Sequence, residues 1–179
     1  PITAGVPQGS LLGPTLFSIY VNDIPLVPRT KLALYADDTV LYTSSTQPHL
    51  ITRYLQQHLT ELEPWFKKWK IKINSDKSEG ILFSKRKHDP VGQLRLNNEV
   101  IEWKNTVKYL GVMLDRKLTF CIHINTQLGK ASGQLARLKG LLLSDSLSHK
   151  AKTILFKMLI RPVLTYAAPA WAHAAKIHL

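Results

Sequence analysis

The sequence of 179 residues predicts an α+β fold: a small mixed layer up to about Asp115, then a helical and strongly basic segment. Three observations carry this. Short β-rich runs recur between Leu32 and Leu114, bounded by turn residues. After Asp115 the apolar residues recur at helical spacing instead. Charge divides along the same line, since residues 1–64 hold three basic and five acidic side chains, 65–115 hold 11 and 6, and 116–179 hold 10 and 1.

The stretch Gly5–Pro14, GVPQGSLLGP, has three Gly and two Pro in ten residues and reads as a loop with specified turns. Pro14 suits the first turn of a helix carrying Leu16, Phe17, Tyr20, Val21 and Ile24 at helical spacing, which Pro25 and Pro28 end. Two β-rich arms, Leu32 to Ala36 and Thr39 to Thr43, then flank adjacent aspartates, which predicts a hairpin with Asp37 and Asp38 at its tip. Leu50, Tyr54, Leu55, Leu59, Leu62, Trp65, Phe66 and Trp69 trace one helical face, and Pro64 is expected to kink or split that helix. Strands are expected at Ile71–Ile73, at Gly80–Phe83, at Leu94–Leu96 turning through Asn97-Asn98, and at Val107–Leu114. Beyond Asp115, the face Ile124, Leu128, Ala131, Leu135, Leu138, Leu142 gives one helix, Leu147–Ile160 a second that Pro162 closes, and a third runs towards Trp171. There is no internal repeat and no low-complexity tract.

An apolar fraction of 45% is enough for a core and excludes a disordered basic tail, despite a net charge of +12. No run approaches the roughly 18 apolar residues of a membrane span, and a secretory leader is not evident, so a soluble intracellular chain is expected. Cys121 is the single cysteine, which excludes a disulfide framework and a cysteine-based zinc site and fits a reducing compartment. The sequence opens at Pro1 without methionine, as expected for a piece of a longer protein. Its basic residues, with Trp65, Phe66 and Trp69 set among Lys67, Lys68 and Lys70, favour a polyanion such as nucleic acid. The plainer alternative is a set of solvated lysine faces kept for solubility.

Two carboxylates at the tip of an apolar hairpin repel each other and are costly to desolvate, so Asp37 and Asp38 call for a divalent cation. Mg²⁺ takes oxygen ligands and commonly pairs one or two carboxylates with substrate phosphates. Neighbouring strand residues point to opposite faces, so another strand must supply at least one more carboxylate. The alternative is an Asp-Asp turn without metal, because aspartate favours turns anyway. Gly9 and the helix start near Pro14 expose backbone N–H groups suited to phosphate or sugar oxygens, and the Gln8 amide both donates and accepts. An ordinary helix-entry loop is the alternative there.

GVPQGSLLGPTLFSIYVNDIP, LALYADDTVLY, WKIKINSDKSEGILFSK and VKYLGVMLD, in this order and spacing, resemble the reverse transcriptases of non-LTR retrotransposons, of the jockey-like type. The likeness covers essentially the whole chain, since LLLSDSLSHKAKTILFKMLIRPVLTYAAPAWA resembles the basic helical region after the palm. It implies a right-hand polymerase fold, with the C-terminal half of the palm over residues 1–115 and a helical thumb over 116–179. By this resemblance Asp37 and Asp38 are catalytic metal ligands for two Mg²⁺ ions in the complete enzyme, and Tyr35 belongs to the same substrate-binding turn. Pro7, Gln8 and Gly9 match the block that positions nucleotide and template. Lys77 matches a lysine that can protonate the leaving pyrophosphate, or else is a solvated turn lysine. Tyr109, Leu110 and Gly111 match the hairpin that holds the primer end, or else form a core strand with a glycine bulge. Lys130, Arg137, Lys139, Lys150, Lys152, Lys157 and Arg161 are expected to track a duplex backbone.

The implied partners are an RNA template, a DNA primer, deoxynucleoside triphosphates, and the upstream palm and fingers of the same polyprotein, acting in cytoplasm and nucleus without a membrane. The family's first aspartate-bearing strand precedes the PQG loop and is not among these residues, so the fragment alone is expected to be inactive. The rival readings are a non-catalytic nucleic-acid-binding remnant and, more distantly, a group II intron maturase.

Overall fold

The computed structural model describes residues 9–85 and 89–174. They form two compact units, one within Pro1–Leu82 and Lys87–Lys104, the other within Phe83–Arg86 and Asn105–Leu179. The first unit contains helix α1 (Gly13–Tyr20), strands β1 (Lys31–Tyr35) and β2 (Asp38–Tyr42), and helix α2 (Pro48–Lys68). A 3-10 turn at Ser75–Lys77 then leads to strands β3 (Glu79–Ile81), β4 (Leu94–Leu96) and β5 (Glu99–Lys104). The second contains strands β6 (Thr106–Tyr109) and β7 (Val112–Asp115), then helices α3 (Cys121–Leu143), α4 (His149–Leu155), α5 (Arg161–Leu164) and α6 (Ala168–Trp171). No helix of the described residues is long and apolar enough to cross a membrane.

Helix α1 begins as expected, with Pro14 in its first turn, where the missing N–H is harmless. It stops at Tyr20, and Val21 and Ile24 leave the helix to pack against the buried cluster Leu62, Trp65 and Phe66. Helix α2 runs unbroken through Pro64, against the expected split. An internal proline costs about 3 kcal/mol, but each large apolar side chain buried beside it contributes roughly 1.5–3 kcal/mol. Leu62, Trp65 and Phe66 flank Pro64 on the buried face, and the rings of Trp65 and Phe66 meet edge to face at 5.4 Å. Tertiary burial therefore decides against the local penalty.

The expected strand Ile71–Ile73 does not form. Lys70 turns the chain in a left-handed conformation (φ 55°), and Ile71 and Ile73 join the core without a ladder partner. The three-stranded sheet has the order β3-β5-β4, with β5 antiparallel to β4 and parallel to β3. Asn97 and Asn98 both take positive φ (50° and 68°), which two-residue hairpin turns require. Gly80 faces Trp103 across the parallel pair, where a Cβ would come within 2.9 Å of the indole. Helix α2 covers the sheet with Leu55 and Leu59 on Leu94, Leu96 and Ile101. It also satisfies the sheet edge, because the Gln56 amide accepts from Arg95 N (2.7 Å) and donates to Arg95 O (3.0 Å).

In the second unit the expected single strand Val107–Leu114 is two strands, because Leu110 and Gly111 form a tight antiparallel turn between them. Its core is Val112, Phe120 and Ala174, with Leu114, Ile124, Ala167 and Trp171 around them. Helix α3 forms where expected but is rotated about its axis. His123, Gln127 and Ala131 are buried, while Leu128 and Leu135 of the predicted face are about half exposed (55% and 47%). The apolar arc of α3 is wider than the surface its neighbours cover, so one edge stays open. Pro162 does not close the second helix either. A π-turn at Phe156–Ile160 precedes it, and Pro162 sits in the first turn of α5, so helical chain continues to Leu164.

Candidate active site

Strands β1 and β2 pair antiparallel from Lys31↔Tyr42 to Tyr35↔Asp38, leaving Ala36-Asp37 as a two-residue turn. Ala36 has φ 50°, a conformation that alanine adopts only at a cost. Asp37 thus stands on the turn and Asp38 opens β2, both exposed at the same end of the hairpin. Tyr35 is the direct cross-strand partner of Asp38 and shares its face.

A lone hairpin is marginally stable in water, and this one leaves Leu34, Tyr35 and Tyr42 exposed. It is tied at its base to α2. The fully buried His58 holds its Nδ1 2.7 Å from Thr30 Oγ1, the residue before β1, and its Nε2 donates to Pro25 O at 2.9 Å. The Arg29 guanidinium bonds the Tyr54 hydroxyl and lies 5.1 Å from that ring, and the Thr43 hydroxyl donates to Arg29 O. None of these residues has a local sequence signal, since the contacts join positions 14 to 33 apart.

Two adjacent exposed carboxylates are hard oxygen donors of the kind a divalent cation takes when phosphates and water fill its other positions. They fit one hairpin's share of such a site. Among the described residues no group of three or more His, Cys, Asp or Glu could hold a metal ion. Other acids are engaged elsewhere. Asp23 accepts from the Trp65 indole (3.0 Å), and Glu63 accepts from Asn97 N (2.7 Å). Asp76, Glu79, Glu99 and Glu102 line a groove of about 290 Å³ with Lys104, whose ammonium pairs with Glu102. The hydrogen bond and charge of Lys104 hold the Glu102 carboxyl below its usual range.

Pro7 and Gln8 lie outside the described residues. Gly9 takes φ 84°. Lys77 ends the 3-10 turn, where its backbone N–H donates to the Asn74 side chain (3.2 Å) and its own side chain is exposed.

Tyr109, Leu110 and Gly111 belong to the second unit. Tyr109 pairs with Val112, and the turn between them has φ 44° at Leu110 and φ 79° at Gly111. Partial burial pushes the carboxyl of Asp115, at the end of β7, upward. Bonds from the Thr119, Phe120 and Lys117 N–H groups and the Thr119 hydroxyl outweigh this and hold it below its ordinary value. Of the seven expected duplex contacts, Lys152 is half-buried and the other six are exposed, and none forms an ion pair among the described residues. Lys130 and Arg137 are seven apart on α3 and share a face, while Lys139 lies on another side. Lys150 and Lys157 likewise recur at a spacing of seven, with Lys152 turned away from them.

The family model described as reverse transcriptase (RNA-dependent DNA polymerase) matches residues 1–114. The chain is 37% identical to the RNA-directed DNA polymerase from mobile element jockey of Drosophila melanogaster, over 100% of the chain and 20% of that protein. It is 35% identical to the jockey polymerase of Drosophila funebris (99% and 20%), and 34% identical to a probable RNA-directed DNA polymerase from transposon BS of Drosophila melanogaster (97% and 20%). The chain therefore spans about a fifth of the length of these relatives. No solved structure matches it. With the aspartate turn inside the matched segment and the likeness continuing to the end of the basic helices, the chain belongs to the reverse transcriptase family and is similar throughout to the polymerases of jockey-like mobile elements.

Proposed function

We propose that the chain is the second half of a palm with its thumb, working within a longer RNA-directed DNA polymerase that copies an RNA template during retrotransposition. The observation that carries this is the exposed Asp37-Asp38 turn within the segment matched by the reverse transcriptase family. The reaction joins a primer 3′-oxygen to the α-phosphorus of a deoxynucleoside triphosphate, breaks the bond to the β-phosphate oxygen and releases pyrophosphate. Two divalent cations, Mg²⁺ in this reading, supply the Lewis acidity for the attacking and leaving oxygens when bound. Asp37 is the principal ligand and Asp38 the supporting one, each offering carboxylate oxygen from a turn already open to substrate. Tyr35, Pro7, Gln8 and Gly9 orient the nucleotide against the template. Lys77 donates a proton to the departing pyrophosphate, which lowers the charge it must carry away. Tyr109, Leu110 and Gly111 hold the primer end, and the cations of α3 to α5 hold the duplex backbone.

Phosphoryl transfer of this kind needs carboxylates from more than one strand, and among the described residues no group of three or more His, Cys, Asp or Glu could hold a metal ion. Residues 1–179 alone are therefore expected to show no template-dependent extension, while the complete parent protein extends a primer and loses that activity on Asp37→Ala with its fold retained. Extension by residues 1–179 alone, removed by the same substitution, would show that a third carboxylate lies within this chain.

A further inference from the structure

The hairpin turn at Leu110-Gly111 is not free. The Tyr166 hydroxyl, from the segment joining α5 to α6, donates to Leu110 O at 2.9 Å. The same ring lies so close to Gly111 that a Cβ there would come within 2.9 Å of its edge and its hydroxyl oxygen. Tyr166 is itself fixed, since the Trp171 indole donates to Tyr166 O at 2.8 Å and Ala167 turns the chain in a left-handed conformation (φ 53°). Two independent features therefore meet at one point, a hydrogen bond to the turn's carbonyl and a ring that only glycine can lie beneath. A tyrosine wanted only for packing would be buried, yet Tyr166 is 47% exposed and spends its one hydroxyl proton on a turn 56 residues away.

We propose that Tyr166 is a positioning residue for the primer end, a latch that sets the height and tilt of the Tyr109–Gly111 turn from the C-terminal helices. This rests on the reading of that turn as the primer-holding element. Leu110 and Gly111 both have positive φ, so the turn lacks the stiffness of regular strand at the place where it must present its backbone. The hydroxyl bond holds the Leu110 peptide plane, and the ring blocks the approach of the turn towards the helices. Loss of the bond leaves the strands paired and lets the tip move.

The test uses the complete polymerase with a primer–template, comparing Tyr166→Phe, Gly111→Ala and the double variant. Tyr166→Phe keeps the ring and the fold and removes one hydrogen bond. It is expected to raise KM for the primer end about three- to tenfold and to leave KM for the deoxynucleotide unchanged. Gly111→Ala is expected to impair primer use more strongly, and the double variant should fall short of the product of the two effects, as coupled neighbours do. Impaired primer use in Gly111→Ala, with Tyr166→Phe like the parent and effects that simply multiply, would overturn the latch while sparing the primer-holding reading. Normal primer use in both single variants would overturn both. A fall in thermal stability in Tyr166→Phe without any change in primer KM would reduce Tyr166 to a structural role and also overturn the proposal.

Discussion

Of the hairpins with two-residue turns among the described residues, the β1–β2 hairpin of the first unit and the β6–β7 hairpin of the second are built to opposite ends. The β1–β2 turn puts a non-glycine residue, Ala36, at φ 50° and leaves its aspartates and much of its apolar surface uncovered. The β6–β7 turn likewise has a non-glycine at positive φ, Leu110 at 44°, beside Gly111 at 79°, but it lies under Tyr166 and leads into a strand with the buried Val112. Among the described residues the first is anchored at its base, through His58, Thr30 and Arg29, and the second is fixed at its tip. Carboxylates that are to meet a cation and a triphosphate must stay solvated until substrate arrives, whereas an element that grips a primer gains from being fixed in advance. Under the proposed function, the open hairpin is the one given to chemistry and the latched one to position.

The largest effect that can break this contrast is on activity. In the complete protein Asp37→Ala should lower primer extension by roughly 10²–10³-fold or more, the scale of losing a main electrostatic contact to the reacting groups. Because Asp37 is exposed and bonded to nothing the fold needs, the thermal midpoint should stay put. Rapid-quench extension assays beside a melting curve check both halves. A large loss of stability with the loss of activity would mean that the first hairpin is as structural as the second.

The next effect comes from charge. Residues 116–179 hold 10 basic side chains against one acidic, and an interface of six or more phosphate contacts loses about 10³–10⁵-fold in affinity between about 50 and 200 mM salt. Lys139 and Lys152 lie off the faces that Lys130, Arg137, Lys150 and Lys157 share, so their removal should change the salt slope least. Duplex titrations at several salt concentrations measure the slopes. Binding that hardly responds to salt would contradict a phosphate-tracking surface.

Sequence pattern reached the aspartate hairpin, the Asn97-Asn98 turn and the long helices, because each depends on local residue type. It failed where distant contacts overrule local preference. Pro64 stays inside α2 because the residues around it are buried, and Ile71 and Ile73 serve the core without a strand partner. The Leu110-Gly111 turn was legible as a hairpin only through the resemblance, since the run is β-rich and leucine gives no sign of a left-handed backbone. The latching residues were out of reach for the same reason. His58 and Tyr166 act over separations of 28 and 56 residues and look like ordinary members of apolar helical segments.

Stability separates the two turns by a smaller amount. Gly111→Ala forces a side chain into the left-handed region, at a cost of about 1–2 kcal/mol, and adds the collision with Tyr166. Ala36→Gly relieves the same kind of strain but gives back about 0.5–1 kcal/mol in backbone entropy, so it should fall within about 1 kcal/mol of the parent on the stabilising side. Denaturant melts of the two variants give the comparison directly. Equal destabilisation by both would erase the distinction between an open and a latched turn.

The smallest expected effect is a dependence on pH centred on Asp115 in the second unit. Asp115 ends β7 and collects the N–H groups of Lys117 (3.2 Å), Thr119 (3.1 Å) and Phe120 (2.8 Å), thereby linking the hairpin to the start of α3. Leu118 and Phe120 in this link take positive φ (53° and 58°), so the carboxylate holds a conformation the chain would not choose. Its folded pKa lies below the ordinary value, so the folded state binds fewer protons than the unfolded chain does as acid is added. The stabilisation is therefore fully present above the unfolded pKa, near pH 4, and is lost as pH falls through the lower folded value. Protection against hydrogen exchange at the Lys117, Thr119 and Phe120 amides should fall over that window, and by more than in the Leu94–Lys104 hairpin of the first unit, where the paired Glu102 is exposed. Asp115→Asn keeps an acceptor but no charge, and should flatten the dependence at these three amides. Amides that remain protected well below the window, or that respond equally in the Asn variant, would show that the carboxylate is not what holds the second hairpin to its helix.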